Sequence, residues 1–138
     1  MNEAVQKRGS VETAYFSVTG TDDEVVPFVS ENNWRTNAFF CAWTAYQTMN
    51  GMEVSSRPDF SKDATFGIAL KDREVISTNK RVTMEAGVLY KGNIPLIKVV
   101  AVNDYGHWNF KPDARLMWDF MKQFSRDPQT KKLVYNKR

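Results

Sequence analysis

The chain holds a single histidine, His107, in the stretch NDYGHWNF (103–110). An imidazole ordinarily titrates near neutrality and can move protons, but only when a second group orients it. The residues suited to that task lie far upstream in GTDDEVVP (20–27), where Asp22 and Asp23 stand between a glycine and a proline. A carboxylate that fixes the tautomer of a catalytic histidine must itself be held rigidly. A loop pinned between a strand and Pro27 supplies that rigidity. Gly106 allows close backbone approach beside His107, and Trp108 can shield the ring. Taken singly, an Asp-Asp pair reads as a surface turn and a lone loop histidine as a hydrogen-bonding residue. As an ordered pair they suggest an acid and a base.

Both segments need elements to carry them. Residues 11–18, VETAYFSV, are β-branched and aromatic and read as a strand running into the acidic loop. From Ser30 the period changes, and Trp34, Ala38, Cys41, Ala42, Ala45 and Met49 recur at steps of three and four. This spacing predicts a helix with Ser30 as N-cap and Gly51 just past its end. Residues 52–80 read as a loop, SSRPDFSKDA, followed by two short strands in TFGIAL and EVIST. RVTMEAGVLY and LIKVVAV are clearer strands, joined by KGNIP with its Gly-Asn turn signal. After the histidine loop, Pro112 opens a helix to about Phe124, with Leu116, Met117, Phe120, Met121 and Phe124 on its apolar face.

In this order, each polar loop follows the carboxyl end of a strand, the edge where active sites assemble in open α/β sheets. GTDDEVVP resembles the acid-loop motif G-T-x-D-x-x-V-P, and DYGHW followed by an amphipathic helix resembles a histidine loop. Both belong to α/β-hydrolase serine esterases, in the group of poly(3-hydroxybutyrate) depolymerases and feruloyl esterases. The resemblance spans residues 13–125, although only the two loops are diagnostic. It implies an α/β fold, the C-terminal part of a hydrolase sheet with mostly parallel strands and flanking helices. It makes Asp23, rather than Asp22, the catalytic acid and His107 the base, acting on a carboxylic ester. Trp34 and Trp108 become candidates for the substrate wall, with Phe39, Phe40 and Trp43 near them, although packing of the helix from Ser30 against the sheet accounts for its aromatics more simply.

The chain departs from that family in one respect. The nucleophile elbow G-x-S-x-G, which precedes the acid in chain order, does not occur in these residues. The resemblance therefore implies a catalytic partner, an upstream half on the same or a separate chain, and no hydrolysis by these residues alone. Cys41, mid-helix among aromatics, reads as a buried, inert thiol rather than a substitute. The expected organisation is a linker over 1–10, a partial hydrolase domain over 11–126 and a basic tail over 127–138. Two other readings stand beside it: a self-standing, non-catalytic α/β domain that binds a ligand or protein, and a decayed gene fragment.

Composition narrows the remainder. Apolar residues make up 42% and charged residues 25%, the balance of a soluble globular domain. The net charge of +3 is scattered apart from KKLVYNKR, so the basic stripe that nucleic-acid binding requires is missing. No apolar run approaches the ~20 residues of a membrane span. The N-terminal residues lack the apolar core of an export signal, whereas relatives in the resembled group are often exported. One histidine and one cysteine, far apart, predict neither metal nor cofactor.

Overall fold

A computed structural model describes residues 12–78 and 81–137, so the linker expected over 1–10 lies outside the described residues. The first strand, β1 (Tyr15–Gly20), is followed by helix α1 (Ala38–Met49). Three strands come next: β2 (Lys71–Ser77), β3 (Thr83–Lys91) and β4 (Ile94–Val102). Helix α2 (Asp113–Met121) leads into a short pair, β5 (Phe124–Arg126) and β6 (Leu133–Tyr135).

The main sheet has the order β1-β4-β3-β2, and only β1 and β4 are parallel. β4 with β3 and β3 with β2 are antiparallel, as are β5 and β6. This overturns the expected mostly parallel hydrolase sheet with flanking helices. The molecule is a mixed, largely antiparallel four-stranded sheet with a separate two-stranded ribbon and two short helices among the described residues. The physical reason lies in the connection between β3 and β4. Two residues, Gly92 and Asn93, join them, and Gly92 takes a φ of 59°. So short a loop reverses the chain, whereas parallel neighbours need a crossover of a dozen residues or more.

β4 is the centre of the core because both its faces are covered. Val99 and Ala101 pack with Val29, Phe40, Trp43 and Phe66 in one apolar cluster. Val100 and Val102 turn to the other side and join Met84, Ala86 and Phe110, with Phe16, Val18 and Leu116 against them. Such a strand reads as a continuous apolar run because neither face meets water.

Helix α1 begins later than its periodicity suggests. Asn37 is the N-cap, its side chain accepting from the Phe40 N–H at 3.0 Å, while Ser30 and residues 31–36 form turns. Its buried residues are Phe40, Trp43 and Gln47, so the inward face is rotated from the small-residue stripe through Ala38, Cys41 and Ala45. Burial favours the side chains with most apolar area. Gln47 can join them because its amide and carbonyl exchange hydrogen bonds with the Ser55 Oγ and N–H. Cys41 is exposed rather than buried. Farther on, TFGIAL is not a strand. Asp63 instead caps the N–H groups of Thr65 and Phe66, and Arg73 of β2 binds Asp63 and Glu85 at 2.7 and 2.8 Å. Within the expected tail, β6 brings Leu133 against the main core beside Phe124.

Trp43, 1% exposed, donates from Nε1 to the Ser17 Oγ at 3.0 Å and so fastens α1 to β1. Trp43→Ala is expected to lower the unfolding free energy by about 3–5 kcal/mol in urea titrations. Trp118→Ala, at an exposed site on α2, should change it by no more than about 0.5 kcal/mol. Equal effects would mean that α1 is not packed as described.

Candidate functional site

Parallel strands send their following loops out of the same end of a sheet. The register of β1 on β4 runs from Tyr15 opposite Ile97 to Gly20 opposite Val102, so both strands finish level. The acidic loop and the histidine loop then continue side by side. The Thr21 N–H donates to the Val102 carbonyl and the Asp22 N–H to the Tyr105 carbonyl, each at 3.0 Å. The Asp104 N–H, on a residue with φ of 54°, donates to the Thr21 Oγ1 at 2.9 Å.

Gly20 is indispensable to this approach. A Cβ there would lie 2.0 Å from the Tyr105 carbonyl oxygen and 2.8 Å from that of Gly106. Both are backbone atoms that cannot rotate aside.

The two loops bring Asp23 and His107 into direct contact. His107 Nδ1 lies 2.8 Å from Asp23 Oδ2. The other carboxylate oxygen, Oδ1, accepts from the N–H groups of Val25 and Val26, both at 2.8 Å. Burial opposes ionisation of Asp23, but the Val26 N–H, the His107 contact and the Val25 N–H outweigh it. The carboxyl therefore sits below the ordinary aspartate range. An ionised carboxylate only accepts hydrogen bonds, so His107 Nδ1 carries the proton and Nε2 is the basic nitrogen. The Asp23 side chain is 6% exposed and that of His107 55%. The acid is enclosed, and the base is within reach of a solute.

A cleft of about 670 Å³ opens beside the pair. It is walled by Gly20, Asp23, Tyr105, His107 and Trp108 together with Phe39 and Asp113. Trp108 stands on its rim, 84% exposed. Trp34 does not line this cleft; it packs against Phe40 with ring centroids 5.7 Å apart, under the Arg35 guanidinium. Phe39 is the α1 aromatic that reaches the wall.

Among the described residues, no serine or cysteine is in the lining, and Thr19 is its one threonine. Cys41 donates its thiol to the Arg35 carbonyl at 3.8 Å. Among the described residues, no group of three His, Cys, Asp or Glu side chains is placed to hold a metal ion. Asp113 escapes the reading of motifs and periodicity, and Gly20 is read as the first position of the acid-loop motif without its steric role. That role has one signal in the sequence, the place of Gly20 where a strand meets a turn. Asp113 has none, because any acidic residue in the first turn of a helix fits the same pattern.

Comparison with protein-family models, curated proteins and solved structures finds no match. The site therefore rests on its own geometry.

Because the Asp23 carboxyl is depressed in the folded state, its contribution to stability is complete above the unfolded value of about 3.9. It is lost as pH falls through the lower folded value. Urea midpoints measured from pH 2 to 6 should show Asp23→Asn flattening the acid limb; an unchanged limb would deny the contacts assigned to this carboxylate. Gly20→Ala is expected to part the loops and remove the downfield Nδ1–H signal of His107 in proton NMR spectra. Persistence of that signal in the variant would contradict the close packing at Gly20.

Proposed function

We propose that Asp23 and His107 are the acid and base of an ester hydrolase whose nucleophile comes from outside these 138 residues. The observation that carries this reading is the 2.8 Å contact between a rigidly held carboxylate and a half-exposed imidazole at the mouth of a cleft. With Nδ1 directed at Asp23, Nε2 is the nitrogen available to take a proton from an attacking hydroxyl. It would then return that proton to the leaving alcohol. Asp23 stays ionised throughout and stabilises the imidazolium formed in between.

The G-T-x-D-x-x-V-P and D-Y-G-H-W segments support the choice of ester chemistry by resemblance. The proposal concerns the dyad and its reaction; it does not extend to a hydrolase sheet. A second reading, a ligand-binding domain without catalysis, is favoured by one feature. No serine or cysteine lines the cleft among the described residues, and the one threonine, Thr19, is buried with its hydroxyl donating to the Gly20 carbonyl rather than to His107.

Cleavage of p-nitrophenyl acetate separates the two. The chain alone should give no rate above buffer. Joined in frame to the coding sequence immediately upstream, it should hydrolyse the ester, and His107→Ala should lower kcat by roughly 10⁴-fold or more. Full activity in His107→Ala would remove the imidazole from the mechanism. No activity in the joined chain would favour the binding domain.

A further inference from the structure

The cleft beside His107 has a charge opposite to that of the chain. Lysine and arginine outnumber aspartate and glutamate 19 to 16 overall, yet among the described residues no lysine or arginine lines the cleft. Two carboxylates do, and they differ in what they meet. Asp23 is saturated by Val25, Val26 and His107. Among the described residues, no hydrogen bond or ion pair reaches the carboxylate of Asp113, which sits half-buried at the start of α2.

If His107 is neutral, the lining carries two negative charges. If it is protonated, it cancels Asp23 and leaves the charge of Asp113. Either way the cleft is anionic. Burial also holds the Asp113 carboxyl above its ordinary range, as expected of a charge without a counterion.

The apolar part of the wall is aromatic. Trp108 offers a freely accessible ring, and Phe39 and Tyr105 lie in the same lining. Aromatic faces and an unpaired carboxylate together attract alkylated ammonium groups, whose charge is spread and weakly hydrated. They disfavour carboxylates and phosphates, which find no lysine or arginine among the described lining residues.

We infer that the cleft binds a positively charged substrate, an ester carrying an alkylated ammonium group, with Asp113 as counterion and Trp108 against the cation. This rests on the proposed role of the cleft as the substrate site and adds the substrate class. Asp113 and Trp108 act here in binding, while proton transfer stays with His107.

The test titrates the full chain with choline, its neutral isostere 3,3-dimethyl-1-butanol, and acetate at low ionic strength. Binding is read from the indole N–H of Trp108 and the ring protons of His107 by NMR. Choline should bind about tenfold tighter than the isostere, and acetate should leave both signals unmoved. Asp113→Asn should erase most of that preference, and Trp108→Leu should weaken choline severalfold while acetate remains excluded. Equal affinity for choline and the isostere, or tighter binding of acetate, overturns the inference. So does an Asp113→Asn variant that still prefers the cation.

These readouts need no turnover. Choline binding without ester cleavage by the joined chain would keep the cleft's selectivity for an alkylated ammonium group and remove the dyad's catalytic reading, and the ester with it. Cleavage of neutral esters without any preference for the cation would do the reverse.

Discussion

Everything at the site depends on the parallel pairing of β1 with β4, the one parallel contact in the sheet. Because the two strands run in the same direction and end level, residues 21–23 and 103–107 leave together. Were the pair antiparallel, the loop after β1 and the loop after β4 would emerge at opposite ends, separated by the six-residue length of the pairing. At the ~3.3 Å rise of a strand residue, that is close to ~20 Å. No side-chain rearrangement would close such a gap. The parallel pair requires a long crossover, and everything from residue 21 to residue 93 serves as one. The antiparallel strands β2 and β3 lie within it, so the remainder of the sheet is also the connection that orders the site.

The other requirement is steric. Strand ends that are level do not by themselves bring a carboxylate to an imidazole, since the loops could diverge. Gly20 removes the obstacle, and three hydrogen bonds through Thr21, Asp22 and Asp104 hold the loops once they meet. Asp23 then needs no partner from elsewhere to be fixed, because its own loop supplies two N–H donors. Position is determined by the backbone, and the side chains complete it.

This division explains what can be read from the residues and what cannot. The loop chemistry is local: a carboxylate that caps the N–H groups two and three residues on, just before a proline, and a histidine after a glycine announce themselves within eight residues. Sheet direction is not local, and resemblance is a poor guide to it. The Gly-Asn turn between two apolar runs already requires an antiparallel pair, and that signal outweighs the analogy. The α1 stripe misleads for another reason. Periodicity counts alanine and tryptophan alike, whereas burial follows area, so Phe40 and Trp43 turn the helix. The strand β6 is apolar at all three positions, but three residues are too short a run to show a strand period without the partner β5.

The unequal exposure of Asp23 and His107 suits the different work that the proposed reaction would ask of each. An enclosed carboxylate is costly unless donors satisfy it, and here two backbone N–H groups and the imidazole do so. Its benefit is directional: with water largely excluded, Oδ2 has one partner and the ring cannot turn over without breaking that bond. The imidazole has the opposite need, since a base sealed in the protein would meet no solute. A rotationally fixed ring beside an open cleft is the arrangement that the proposed proton transfer to a bound molecule would require.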